Sequence, residues 1–361
     1  MERQPQSRRW FAGIGTGKSS ALRQAVAEAI EAGKRPVAWL PTVSDVGLRT
    51  ERVEFPDPSV AVRLGADTFA GRLARNLSSG ERQRVRLALA LSSTNGFAAF
   101  DEPCRHLDPE HVEALNRLLH ERTAAGMNLA VCDVRRQLAD GLFDQDLGGR
   151  EDELPVVAPC PPPQGDCLSL EVPNPFLPSS GKAESRQRIG LERGSLVVLR
   201  GPNGSGKTSL LEALARSARE AGAVFGYSRQ EPEHQVFAST PRDEISGLSR
   251  RHSPARWAPD DFVRNLRIEP WMSTPTPRLP LGVLCVLGAW IALRMGHDLV
   301  LLDEPTQGLD VRTARALAGE LVRCARQGAR IVAASHDPEL AGVANRAWSV
   351  RAGVLTLEGD A

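Results

Sequence analysis

The chain has 361 residues, 41% of them hydrophobic and 25% charged, with a formal net charge of +1. That length suits about two domains of ordinary size, and the balance is that of a globular protein. Bulk electrostatics therefore argues for neither a nucleic-acid binder nor a partner of acidic surfaces. The six cysteines include no Cys-x-x-Cys pair, so they read as reduced thiols without a structural or metal-binding role.

In chain order, MERQPQSRRWF (1–11) has no apolar stretch behind its arginines and is not expected to act as a secretory signal. A Gly-rich turn, AGIGTGKS (12–19), follows, then a helix-spaced segment, SALRQAVAEAIEAG, with Gly33 as its C-cap. Only eleven residues precede Ala12, so the strand expected before this turn is poor. FAAFDEP (97–103) is an apolar strand running into two carboxylates, and Asp108-Pro109 opens an amphipathic helix with Asp at N-cap and Pro at N1. PVVAPCPPPQGDC (155–167) is proline-rich and favours extended backbone over packing, as a linker would. Beyond it, the strand SLVVLR (195–200) runs into GPNGSGKT (201–208) and the helix SLLEALARSARE. LPLGVLCVLGAWIAL (279–293) is an uncharged run of fifteen, short of the roughly 20 residues a spanning helix needs. It reads as a buried helix.

The chain contains itself twice. FAAFDEP matches LVLLDEP (299–305), and RHLD (105–108) matches QGLD (307–310). Asp101 to Asp303 and Asp108 to Asp310 share an offset of 202, whereas the two glycine-rich turns are 189 apart. The alternation of strands and helices predicts an α/β fold with parallel strands.

Each glycine-rich turn runs into a helix, and the second has the full strand–loop–helix context of a P-loop, whose backbone N–H groups converge on phosphate oxygens at a helix N-terminus. In the second copy the loop comprises Gly201, Pro202, Asn203, Gly204, Ser205, Gly206, Lys207, Thr208 and Ser209. Lys207 is placed for the β/γ-phosphates of ATP and Thr208 for Mg²⁺. The first copy offers Gly13, Gly15, Gly17, Lys18, Ser19 and Ser20, with Ala12 in place of the leading glycine. Asp303 is positioned to hold the Mg²⁺ shell and Glu304 to orient or deprotonate water; Asp101 and Glu102 repeat the pair.

LSSGERQRVRLALAL (77–91), 24 residues before Asp101, resembles the signature sequence of ABC transporter ATPases. The resemblance covers nearly the whole chain. It implies two P-loop NTPase (ABC-type) nucleotide-binding domains in tandem, each with a mostly parallel sheet and a short helical subdomain. They would be a first cassette at 1–153, N-terminally truncated and with a degenerate pocket, a linker at 154–167, and a second cassette at 168–361. In that family each ATP lies between the P-loop of one cassette and the signature of the other, so the cassettes here would pair intramolecularly. Ser78, Ser79, Gly80 and Asp108 would then complete the site at Lys207.

Counting 24 back from Asp303 gives the second signature position, where Pro280, Leu281 and Val283 stand and only Gly282 survives. The family's switch histidine is His336 in IVAASHD (331–337); the same offset in the first copy gives Val134. Its Q-loop glutamine, a Mg²⁺ and water contact, is Gln230, whereas the first copy has WLPT (39–42) and no glutamine from Ala25 to Arg82. Glu304, His336, Gln230 and Lys207 are thus the expected catalytic set, with Thr208, Gln230 and Asp303 at Mg²⁺. The Lys18 site, lacking several such groups, is expected to be without turnover. Phe176 is a candidate to stack on adenine.

Downstream of Gln230, EPEHQVFASTPRDEI (231–245) is similar to the Q-loop region of energy-coupling-factor ATPases for cobalt and vitamins. Pro232, Gln235, Val236, Phe237, Thr240, Asp243, Glu244 and Ile245 fit that pattern, while Glu231 and Pro241 depart from it. This implies a transmembrane coupling protein and a substrate-binding membrane component as partners, at the cytoplasmic face of the cell membrane, and no nucleic acid. A soluble tandem-ABC ATPase acting on ribosomes or nucleic acid is the alternative, which the short proline-rich linker argues against. A third reading is an ATP-binding regulator with no transport role.

Overall fold

The computed structural model describes residues 7–11, 18–33, 37–40, 52–92, 96–133, 137–143, 145–148, 156–173, 186–251, 257, 261–351 and 354–358. The chain divides into two compact units, Met1–Asp152 and Glu153–Ala361.

The first unit runs β1 (Arg8–Phe11), α1 (Lys18–Glu31), β2 (Val37–Leu40), α2 (Pro58–Arg63), α3 (Ser79–Ser92), β3 (Phe97–Asp101), α4 (Pro109–Ala124), β4 (Asn128–Asp133) and β5 (Gln145–Gly148). Its sheet has the order β2-β3-β4-β1-β5 with every pairing parallel. Alternate strand residues serve opposite faces. Phe97 and Ala99, with Ala130 and Cys132, pack on Leu22, Ala25 and Ala29 of α1. Ala98 and Phe100, with Leu129 and Val131, face the larger core that includes Leu87, Leu91, Leu115 and Leu118. The poor strand before the first glycine-rich turn exists as β1. Arg9 is buried there, donating to Leu138 O at 3.0 Å and lying 4.8 Å from the Phe143 ring centroid.

In the second unit come β6 (Cys167–Pro173), β7 (Arg186–Glu192), β8 (Leu196–Arg200), α5 (Lys207–Glu220), β9 (Phe225–Ser228), α6 (Pro241–Arg251), α7 (Phe262–Asn265) and α8 (Leu281–Met295). The rest is β10 (Leu299–Asp303), α9 (Val311–Arg326), β11 (Ile331–Ala334), α10 (Pro338–Ala341), β12 (Arg346–Arg351) and β13 (Val354–Glu358). The main sheet is ordered β13-β12-β8-β11-β10-β9, parallel except for β12–β13. Without β13 this is the strand order of the first unit, so the sequence repeat is also a repeat of topology. An antiparallel ribbon, β6–β7, buries Leu170, Val172, Ile189 and Leu191 against Leu210 and Leu214 of α5.

The apolar run 279–293 forms α8, buried along nearly all its length. Gly226 of β9 lies so close that a Cβ there would overlap the carbonyl of Ala292. No helix among the described residues is long and apolar enough to cross a membrane. Residues 156–166, expected to favour extension over packing, are instead fastened along the second unit. Cys160 N donates to Val343 O at 2.8 Å and Gln164 N to Arg193 O at 2.9 Å. Asn345 Nδ2 donates to Pro161 O, and Arg330, nearly fully buried, donates to both the backbone and carboxylate of Asp166. Prolines remove N–H donors from this stretch. Its carbonyls still accept.

Candidate nucleotide site

In the second unit β8 ends at Arg200, the loop 201–206 reverses the chain, and α5 starts at Lys207. The N-cap Gly206 has φ 104°, a left-handed conformation costly for a residue with a Cβ. At Gly201 a Cβ would overlap Val350 O and lie 2.6 Å from Ser205 Oγ. Ser205 Oγ is buried with no hydrogen-bond partner among the described residues. The Lys207 ammonium donates to Gly201 O at 2.7 Å, to Pro202 O at 3.2 Å and to His336 Nε2 at 2.9 Å. An ammonium can only donate, so His336 Nε2 accepts and the ring is neutral with its proton on Nδ1.

Asp303 closes the fully buried strand β10, and its Oδ2 accepts from Thr208 Oγ1 at 2.7 Å. Adjacent ligand oxygens on an octahedral Mg²⁺ at about 2.0–2.1 Å lie about 2.9 Å apart, so this pair can span one edge of the ion's shell. Burial holds the Asp303 carboxyl up at about 6 against the lowering effects of Thr208 and Lys207. A cation there would compensate the buried charge. No group of three or more His, Cys, Asp or Glu suited to a metal occurs among the described residues. One carboxylate and one hydroxyl match Mg²⁺ held largely by nucleotide phosphates and water.

Glu304 sits at φ 49°, a left-handed conformation rare outside glycine, and its N–H donates to Ala334 O at 2.9 Å. Such a backbone costs on the order of 1–3 kcal/mol and persists where surrounding structure enforces it. The neighbouring strand β11 does so here and carries His336 to within 3.8 Å of Glu304 Oε1. Burial raises the Glu304 carboxyl to about 7, opposed by Lys207 and reinforced by the charge of Asp303. A carboxyl poised near 7 is matched to general-base work at neutral pH. Lys207, Thr208, Asp303, Glu304 and His336 are thus linked by short contacts in one unit.

Gln230 follows β9 and is half-buried. Gln235 braces the same loop: its Oε1 accepts from Arg229 N at 2.8 Å and its Nε2 donates to Tyr227 O at 2.7 Å. Glu244 Oε2 accepts from Phe237 N at 2.9 Å and Ala238 N at 2.7 Å, while Asp243 and Thr240 bond each other at the start of α6. These bonds leave the Phe237 side chain 88% exposed. The pattern residues Gln235 and Glu244 therefore act as loop braces, a role invisible in the sequence.

The first unit repeats the carboxylate turn. Asp101 is buried at the end of β3, Glu102 has φ 51°, and Glu102 N donates to Cys132 O at 2.8 Å. His106 takes φ 62° where the second copy has Gly308 at 69°. Burial and the charges of Arg105, Arg82 and Arg86 push the His106 ring down to about 3. Gly13, Gly15, Gly17, residues 41–42, Val134 and Phe176 lie outside the described residues, as do the side chains of Lys18, Ser19, Ser20 and Ser79.

The two signature helices begin differently. Ser78 N donates to Glu81 Oε2 at 2.7 Å and Glu81 N to Ser78 Oγ at 3.3 Å, a reciprocal capping box whose Ser-x-x-Glu spacing was readable in the sequence. Ser78 is exposed and Gly80 buried. At α8 the N-cap is Pro280 with no side-chain cap bond. A Cβ on Gly308 would lie 3.2 Å from Gly282 N and 3.1 Å from Leu281 Cδ2, so that helix start is packed against its own unit.

Comparison with known proteins yields an "ABC transporter" family model matching residues 186–307 and an "AAA domain" model matching 274–342. The chain is 25% identical over 357 residues to the arabinose import ATP-binding protein AraG of Yersinia pestis, covering 82% of this chain and 67% of that one. It is 32% identical over 202 residues to the hemin import ATP-binding protein HmuV of Rhodopseudomonas palustris (48% of this chain, 77% of that one). To the cobalt import ATP-binding protein CbiO of Rhodobacter capsulatus it is 29% identical over 222 residues, 54% of this chain and 79% of that one. Among solved structures, an RNase-L Inhibitor superposes with TM-score 0.63 at 17% identity, covering 95% of this chain and 83% of that one. That likeness is one of fold: two ABC-type P-loop cassettes in tandem. On the shared nucleotide-site motifs and the coverage of HmuV, the chain belongs to the ABC transporter ATPase family.

Proposed function

We propose that the chain is the ATP-hydrolysing subunit of an ABC importer of the energy-coupling-factor kind, taking up a vitamin or a transition metal ion and working from the cytoplasmic face of the membrane. The observation that carries the ATPase half is the contact chain Thr208–Asp303, Lys207–His336 and His336–Glu304. The import half is supported by the import relatives AraG, HmuV and CbiO and by the braced loop that presents Phe237.

On nucleotide binding, Lys207 exchanges its carbonyl partners Gly201 and Pro202 for phosphate oxygens. Glu304, deprotonated above about pH 7, takes the proton of the attacking water, and neutral His336 holds the water and γ-phosphate in line. Thr208 and Asp303 would hold Mg²⁺, with Gln230 as a further contact by the family resemblance, and the ion would supply charge neutralisation at the phosphates. By the family resemblance, the signature of the first cassette, Ser78 to Gly80, together with Asp108, would complete this site. The Lys18 site does not turn over, because its own unit lacks the glutamine and histidine and the α8 start offers Pro280 and Leu281.

Affinity-tagged chain purified from detergent-solubilised native membranes is expected to retain an integral membrane protein, and Glu304→Gln in cells is expected to stop uptake. Co-sedimentation with ribosomes and no membrane partner would favour the soluble tandem-ABC reading instead.

A further inference from the structure

A polar relay in the first unit joins three elements that the nucleotide chemistry above does not account for. Asp108, the N-cap of α4, accepts from His111 N at 3.0 Å and from His111 Nδ1 at 2.5 Å. The other ring nitrogen, Nε2, lies 2.8 Å from Arg84 Nη1 on the signature helix α3. Arg84 Nη1 also donates to Gly65 O, just past α2, at 2.7 Å, and the guanidinium lies 4.9 Å from the Phe69 ring centroid. Gly65 has φ 59°, and a Cβ there would come within 3.1 Å of Arg84 Nη1 and 3.2 Å of His111 Nε2. The close approach needs a glycine.

The chemistry of the partners fixes the histidine. A carboxylate only accepts and a guanidinium only donates, so His111 carries its proton on Nδ1 and a lone pair on Nε2. Protonated at both nitrogens, the ring would point an N–H at the guanidinium. Arg84 and Asp108 face the ring from α3 and the turn before α4; α2 contributes the Gly65 carbonyl; Asp67 and Glu81 lie within electrostatic range of Arg84. Among the described residues the second unit has no counterpart: the offset of 202 puts Val286 and Thr313 at these positions, and Asp310 accepts from Thr313 N and Oγ1 within its own turn. The relay belongs to the unit whose signature is intact.

We infer that Arg84 and His111 are positioning residues that lock the signature helix to Asp108, so that the two elements the first cassette offers the Lys207 site move as one piece. This rests on the reading that Ser78–Gly80 completes that site. The test is steady-state ATPase activity of the full chain with Mg-ATP, folding being followed by thermal melting. His111→Leu is expected to lower kcat by about tenfold or more with KM for ATP within about twofold, because the Lys207 loop is untouched. His111→Gln, whose amide can donate to Asp108 and accept from Arg84, is expected to keep at least about half of kcat. Arg84→Met should match His111→Leu, and the double variant should be no worse than either single one. A folded His111→Leu protein with wild-type kcat overturns the inference. Ser78→Asp, which keeps an N-cap but sets a negative charge toward the phosphate, separates the two readings. Loss of activity in Ser78→Asp with full activity in His111→Leu removes the relay alone. Full activity in Ser78→Asp removes the shared site and the relay together.

Discussion

Replacing Glu304 by glutamine is expected to abolish turnover and, unusually for an active-site change, to stabilise the protein in a pH-dependent way. The carboxyl is held at about 7 by burial, against an ordinary value of 4.5. Because the folded value lies above the unfolded one, the folded chain keeps a proton that the unfolded chain loses as pH rises from 4.5. Stability therefore falls through the window from 4.5 to about 7, and above it the full cost is present. The shift corresponds to about 3 kcal/mol, trimmed to about 2 kcal/mol by the 18% of the side chain that water reaches. Glutamine does not titrate, so Glu304→Gln should melt about 4–8 °C above wild type at pH 8 and with it near pH 5, for a unit of this size. Calorimetry of the nucleotide-free chain at both pH values, following the transition that ATP moves upward, measures this. Turnover should fall by about 10² to 10⁴ with ATP binding retained. Equal melting of the two proteins at pH 8, or a gain of the same size at pH 5, would refute the origin assigned to the raised value.

Other consequences are checked with single substitutions. Gly226→Ala drives a Cβ into the Ala292 carbonyl and should cost about 1–3 kcal/mol, seen as a lower urea midpoint. Asn345→Ala leaves Leu196 N and the carbonyls of Pro161 and Gly194 without their partner, and should cost about 2–4 kcal/mol in the same assay; a loss near zero would show that the proline-rich strap is not held there. Gly201→Ala should weaken ATP binding by about tenfold or more, read with a fluorescent ATP analogue, since its Cβ meets Val350 O and Ser205.

The residues that meet at the Lys207 loop were legible because they sit in contiguous motifs: strand, glycine turn and lysine, or strand, aspartate and glutamate. Local sequence sets their geometry, and the left-handed turns at Glu102 and Glu304 follow the same pattern in both units. The apolar run at 279–293 was likewise read as buried, and α8 is. Interactions between distant segments were not legible. RRWF reads poorly as a strand because nothing nearby tells that Leu138 and Phe143 receive Arg9. The prolines at 155–163 signal an unpacked linker, yet Val343, Asn345 and Arg330, more than 160 residues on, hold the strap's backbone. Arg84 and His111 are 27 residues apart, and only the fold joins them.

Whether one nucleotide site turns over while the other does not is decided by comparing the kcat of Lys207→Ala with that of Lys18→Ala in the full chain. Lys207→Ala should be inactive, and Lys18→Ala should lose only a modest fraction of activity. Equal loss from the two substitutions would contradict a division of labour between an intact pocket and a degenerate one.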